Sequence, residues 1–177
     1  MPEKYHLRLL KLEDTAGMLE WMHDNQINSQ FVTPFSIYTE EQVHRFIHQA
    51  QIDCQTNLHL ACVDSRDQYL GTVSLKNISQ ENRNAEYAIC FRTSAHGTGA
   101  ACYATSSILR IAFEELNLER VYLYLLAENT RADRFYQKSG FIYEGTAVRS
   151  MLHHDKLCDV KWYRMLKAEW LRRTEVE

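Results

Sequence analysis

The chain has 177 residues, a length that suits one domain with one core. Twenty Lys and Arg stand against 23 Asp and Glu, a net charge of −3, so the basic excess of a nucleic-acid binder is missing. No stretch of about 18 uncharged apolar residues reads as a membrane span. The first ten residues are broken by Glu3, Lys4, His6 and Arg8 and do not read as a signal peptide. With six Gly, two Pro and no repeat or linker, residues 1–177 read as a single domain. Cys54, Cys62, Cys90, Cys102 and Cys158 are odd in number and contain no CxxC, which argues against a disulfide framework and against a zinc site. They read as mostly buried thiols in a reducing compartment, which points to the cytoplasm.

Residues 5–11 are apolar enough for a first strand, and Met18, Leu19 and Met22 in residues 12–24 are spaced for one helix face. Residues 25–38 mix polar and aromatic side chains and leave their structure undecided. Thr39 followed by Gln42 is a capping-box helix start, continued by Val43, Phe46, Ile47 and Ala50. Residues 57–65 and 68–79 read as a hairpin, with 84–93 as the third strand of a meander. After a small-residue loop, a helix is expected from Ala100 to Leu116, carrying Ala104, Ile108 and Ala112 on its apolar face. Residues 120–128 are apolar enough for a central strand covered on both faces. A short helix from Arg131 to Lys138 ends at Gly140, and residues 141–152 and 156–166 read as two closing strands. The pattern is α/β (α+β), one sheet carrying helices.

The loop His96-Gly97-Thr98-Gly99-Ala100-Ala101 joins a strand to a helix. Its glycines permit positive φ and close approach of a ligand, and the helix N-terminus behind them offers free N–H groups and a positive dipole end. A pyrophosphate site and a plain tight connection both fit this loop. A Walker A loop is excluded because no Lys follows. A Rossmann loop is disfavoured by Cys102 at the third glycine position and by the antiparallel meander that precedes it, although Glu128 lies at the end of the next strand.

The stretch from Ala85 to Gly145 resembles the core of the GNAT acetyltransferase superfamily, closest to the branch with ribosomal-protein N-terminal, spermidine and amino-sugar acetyltransferases. The resemblance covers about residues 56–166, with residues 1–55 fitting more loosely as the first strand and acceptor-side helices, and 56–168 as the acetyl-coenzyme A core. The family loop [RQ]-x-x-G-x-[GA] is matched by Gly99 and Ala101, with His96 in place of Arg or Gln. The downstream motif N-x-x-A-x-x-F-Y-x-K-x-G-F is matched by Asn129, Ala132, Phe135, Tyr136, Lys138, Gly140 and Phe141.

The resemblance implies a mixed, mostly antiparallel, twisted sheet of six or seven strands, with helices on both faces and a parallel splay between strands four and five. It implies acetyl-coenzyme A as cosubstrate, no metal, and direct attack by a primary amine in a ternary complex, the acceptor being a protein N-terminus, a polyamine or an amino sugar. Loop residues 96–101 would hold the pyrophosphate, and the backbone of Ile89, Cys90 and Phe91 would pair with the pantetheine arm. Tyr136 would donate to the departing thiolate, and Glu86 would take the amine proton, directly or through water. A packed tyrosine and a solvated strand carboxylate are the plain alternatives. Asn129 contacts the coenzyme or caps the next helix. Trp21, Phe31, Phe35 and Tyr38 would build the acceptor pocket or simply pack a helix pair. Asp159 fits an acidic position of the family on the last hairpin, and dimers are common in the family. Adjacent His153 and His154 point to opposite faces of an extended segment and make a poor metal pair. Two readings from other classes stand beside the enzyme: a coenzyme-A-binding sensor without catalysis, which His96 permits, and a Rossmann-type nucleotide module.

Overall fold

The computed structural model describes residues 4–31 and 33–174. Both ends of the domain read over 1–177, and Val32, lie outside the described residues. Strand β1 (Tyr5–Leu9) leads through a 3-10 turn at Leu12–Asp14 into α1 (Thr15–Met22). The segment 25–38 holds one short helix, α2 (Asn25–Asn28), and a single 3-10 turn at Phe35–Ile37. Helix α3 (Glu40–Ile52) starts at the expected capping box: the Gln42 amide donates to Thr39 Oγ1 and the Thr39 amide donates to Gln42 Oε1, 3.3 and 2.8 Å.

Strands β2 (Leu58–Asp64), β3 (Tyr69–Ser79) and β4 (Asn84–Phe91) form the meander, and α4 (Ala100–Arg110) follows it. Beyond Arg110 the helix widens into a π-type turn, Ile111–Glu115, so the expected single helix to Leu116 changes its winding in its last third. Strand β5 (Arg120–Leu126), α5 (Thr130–Lys138), β6 (Ile142–His153) and β7 (Lys156–Leu166) complete the read elements. Helix α5 ends where expected, with Gly140 at φ +91°. A last helix, α6 (Lys167–Thr174), was not legible in the sequence; its Trp170 packs on Phe113 of the π turn, ring centroids 5.5 Å apart.

All seven strands form one sheet in the order β1-β2-β3-β4-β5-β7-β6. Every neighbouring pair is antiparallel except β4 and β5, which run parallel and pair only through Asn84↔Arg120, Ala85↔Val121 and Glu86↔Tyr122. Side-chain alternation divides the core in two. On one face Val73, Leu75, Ala85, Tyr87, Val121 and Leu123 pack against Ala104, Ile108 and Ala112 of the α4 segment. On the other, Ala61, Val63 and Tyr69 pack against Met18, Trp21 and Met22 of α1 and Val43, Ile47 and Ala50 of α3.

Three expectations need correction. Strand β5 is covered fully on one face only: Val121, Leu123 and Leu125 are buried, whereas Arg120, Tyr122 and Tyr124 are half-exposed, because tyrosines supply apolar length without requiring full burial. Only Cys62 is fully buried; Cys54 and Cys102 are exposed, and Cys90 and Cys158 half-buried. Exposed Cys102 therefore does not press on the strand, and it is the meander topology that sets this loop apart from a Rossmann turn.

Candidate functional site

Beyond Glu86↔Tyr122 the parallel strands diverge, and a cavity of about 260 Å³ opens between them. Ile89, Cys90 and Phe91 of β4 form one wall. Tyr124 and Leu125 of β5, with Asn129, Ala132, Phe135 and Tyr136 from the start and inner face of α5, form the other. Because β4 loses its partner here, its edge faces the opening.

At the mouth lies the glycine loop. Gly97 has φ +76° and Gly99 φ +93°, and a Cβ at either would meet no atom within 4 Å. Both positions therefore require glycine-like backbone, and both front open space that a bulky anion can enter. Gly99 is the N-cap of α4 and has no side chain to cap it; Thr98 Oγ1 accepts from the Ala100 amide at 3.3 Å, and the first turn holds no acidic residue. The unpaired N–H groups and dipole of this end suit a phosphate. Thr98 holds the loop's shape: its Oγ1 donates to the Ala95 carbonyl at 2.7 Å, and its carbonyl accepts from the Tyr5 hydroxyl at 2.8 Å. His96 lines the cavity but turns inward, its Nε2 lying 3.1 Å from the Phe91 carbonyl oxygen. Burial and the nearby Arg131 charge hold its imidazole below the usual range. Arg131 itself, on the first turn of α5, lines the cavity and brings the cation that His96 does not supply. It escaped the sequence reading because it occupies a variable place in the motif.

Tyr136 sits in the wall of the cavity, 9% exposed, its ring edge-on to Tyr87, Phe135 and Phe141 with centroids 6.0, 5.6 and 5.9 Å away. Burial, with a smaller contribution from the Cys90 thiol, pushes its phenol well above its ordinary value. Burial does the same to Cys90. Both groups stay protonated at neutral pH. Asn129 caps α5, its Oδ1 accepting from the Ala132 amide at 3.0 Å, and the residue also lines the cavity.

Glu86 is 8% exposed, at the vertex where β4 leaves β5, and is not a solvated carboxylate. Lys76 lies directly across on β3 with Nζ 2.5 Å from Oε1, and Asn77 Nδ2 donates to Oε2 at 3.0 Å. It lies behind the cavity walls, joined to them through Lys76.

A second cavity, of about 300 Å³, adjoins the first and shares Phe31, Ile89 and Cys90 with it. Trp21, Phe35 and Tyr38 line it, so the four aromatics singled out in the sequence meet here, with Trp21–Phe35 and Phe31–Phe35 centroids 5.2 and 5.4 Å apart. Its floor is Thr72, Ser74, Lys76, Ala88 and Cys90. Phe46 and His59, which the sequence did not flag, close it; His59 Nδ1 lies 2.7 Å from Ser74 Oγ, and its ring meets Phe46 edge-on at 4.9 Å.

Asp159 accepts from the Arg149 amide at 2.8 Å and serves the irregularity in β6. His153 and His154 flank the β6–β7 turn with ring centroids 4.1 Å apart, and among the described residues no group of three His, Cys, Asp or Glu is placed to hold a metal ion. Likewise no described helix is long and apolar enough to cross a membrane.

Comparison with known proteins agrees with this geometry. Residues 4–142 match the family model described as acetyltransferase (GNAT) domain. A spermidine N(1)-acetyltransferase of Vibrio cholerae is 27% identical over 166 residues, covering 90% of this chain and 93% of that one. The N-acetyltransferase p20 of Bacillus licheniformis is 26% identical, covering 95% and 96%. Among solved structures, the Vibrio cholerae spermidine N-acetyltransferase in complex with CoA and spermine superposes with a TM-score of 0.85 at 24% identity, covering 95% of this chain and 98% of the other, which shows a shared fold.

Proposed function

This chain belongs to the GNAT acetyltransferases and uses acetyl-coenzyme A, and we propose that its acetyl transfer to a primary amine runs through the wedge between β4 and β5, with Tyr136 as the proton donor. The observation that carries the reading is the coincidence of three features: a splayed strand edge, a phenol in the wall, and a helix N-terminus behind two positive-φ glycines at the mouth.

The residues fit the coenzyme. The amides at the start of α4 and Arg131 suit the pyrophosphate, and the free edge of Ile89–Phe91 suits the amide-bearing arm, which would add to the sheet like a strand. Acetyl-coenzyme A supplies a thioester, whose carbonyl an amine attacks directly. Tyr136, kept protonated by burial, donates to the departing thiolate, a group whose conjugate acid titrates near about 8.5. Glu86 receives the amine proton through water, since Lys76 and Asn77 already occupy its oxygens. No acyl-enzyme is needed, and the Cys90 thiol, held protonated, is a poor nucleophile. A relative named for spermidine acetylation supports polyamines as one class of candidate acceptor. The free thiols and the acetyl-coenzyme A requirement favour the cytoplasm.

The test is Tyr136→Phe, followed by thiol release from acetyl-coenzyme A and by coenzyme binding. Loss of the phenol should lower kcat by about a hundredfold or more while coenzyme affinity changes little. Undiminished kcat would remove Tyr136 from the chemistry.

A further inference from the structure

The second cavity identifies the kind of amine that this site accepts, and the inference rests on the acetyl-transfer reading above. Polyamines at neutral pH carry two or more ammonium groups, and after one is deprotonated for attack the others remain charged. A site that holds such a chain against apolar walls needs carboxylates for each ammonium it takes out of water, because an unpaired ammonium in apolar surroundings is strongly disfavoured. Among the described residues, no Asp or Glu lines either cavity. Of the nearby carboxylates, Glu86 is paired with Lys76 and Asn77, and Asp24, which accepts from the Thr93 hydroxyl and the Gln26 amide, both at 2.9 Å, keeps its charge but lines neither cavity. Glu40 and Glu41 turn outward on α3, 71% and 81% exposed, beside His44 and Arg45 of the same helix. Among the described residues, the one charged side chain in the wall of the second cavity is Lys76, whose ammonium is paired with Glu86, so the wall carries no free anion for a second ammonium.

What the cavity offers instead is rings. Trp21, Phe35, Tyr38 and Phe46 surround it, with Met18 and Met22 filling the gaps. The register of β3 gives its length: Thr72 to Lys76 is five residues, whose four steps make about 13 Å of strand. Thr72 lies opposite Cys90 and Lys76 opposite Glu86, so the floor follows β4 along the whole splayed stretch. A ring lodged among these aromatics leaves a two- or three-atom arm to bring a nitrogen past Cys90 into the wedge. The same dry surroundings favour the neutral form of that nitrogen, which is the form that attacks.

We propose that the acceptor is a small monoamine: one primary amine on a short arm from a single aromatic or branched apolar group, with no second charge. Polyamines are then poor substrates for this chain, in contrast to the proteins it resembles.

The experiment compares kcat/KM, by thiol release at saturating acetyl-coenzyme A, for pentylamine against 1,5-diaminopentane and for 2-phenylethylamine against spermidine. The first pair differs only in the second ammonium. Each monoamine should exceed its charged partner at least tenfold. Phe35→Ala, on an exposed single turn, should raise KM for 2-phenylethylamine at least fivefold and leave KM for acetyl-coenzyme A unchanged. Equal or better turnover of spermidine or the diamine overturns the acceptor class and leaves the transferase reading standing. Thiol release with none of the four amines while coenzyme A still binds overturns the acceptor class alone; no binding of coenzyme A overturns the wedge reading as well.

Discussion

His59 shows what a single side chain costs in such a cavity. Burial, and then the Lys76 charge, depress its pKa from 6.5 to about 4, with Asp53 pulling weakly the other way. The folded protein therefore keeps the imidazole neutral, able to share a hydrogen bond with Ser74 and to stack edge-on against Phe46. Above pH 6.5 the folded and unfolded chains hold the same number of protons at this site, and His59 contributes nothing to pH dependence. As pH falls below 6.5 the unfolded chain takes up a proton that the folded chain refuses, so stability drops until the folded pKa near 4 is reached. The loss attributable to His59 is at most about 3 kcal/mol, less whatever solvent screening relieves. His59→Gln should flatten the decline in Tm between pH 6.5 and 4 relative to the parent; parallel curves would show that another group sets it.

At the scale of one element, α5 positions most of what the wedge needs, and it is tied to the sheet by Asp133. This carboxylate, 9% exposed, accepts from Lys161 Nζ at 2.5 Å, from Gln137 Nε2 at 2.8 Å, and from the Tyr163 hydroxyl. Burial opposes its charge, but the bonds from Lys161, Tyr163 and Gln137 outweigh burial and hold its pKa below the usual range. Asp133→Asn keeps the shape and removes the charge. It should lower stability by about 1–3 kcal/mol, read as an earlier urea midpoint at unchanged slope. Because Tyr136 and Arg131 ride on the same helix, KM for acetyl-coenzyme A should rise with it, although Asp133 lines neither cavity. An unchanged midpoint would mean that the network adds nothing net. Helix α5 was also the easiest element to read from sequence, because its start and stop are local: the Asn129 cap and Gly140 at positive φ each act within four residues. The glycine loop was legible for the same reason. The partner of Glu86 was not, since Lys76 reaches it only through the register of β3 on β4. Nor was the charge of the second cavity, which gathers side chains from α1, the segment 31–38, α3 and three strands. Helix α6 lay beyond the motifs, its signal being one Trp that finds Phe113.

At the scale of the whole molecule, the sheet is two sheets joined by a short seam. Strands β1–β4 form one antiparallel unit and β5, β7 and β6 another, and three residue pairs of parallel ladder connect them. Elsewhere the units are bridged by side chains: Tyr87 of β4 meets Tyr136 and Phe141 beyond α5, and its hydroxyl lies 2.8 Å from Thr105 Oγ1 of α4. A ligand that adds to the edge of β4 and lies against Tyr124 and Leu125 of β5 restores pairing that the seam lacks and contacts both units at once. Coenzyme A should accordingly stabilise the fold as a whole. Binding to the folded form alone contributes RT ln(1 + [L]/Kd), about 2.7 kcal/mol at a hundredfold excess over Kd. For a chain of 177 residues that corresponds to a rise in Tm of roughly 5–10 °C. NAD, which also carries a pyrophosphate but has no extended amide-bearing arm to pair with Ile89–Phe91, should give a much smaller rise. Equal shifts from the two would mean that the helix N-terminus alone supplies the binding and that the open edge of β4 is idle; a large shift from coenzyme A only would assign the difference to the wedge.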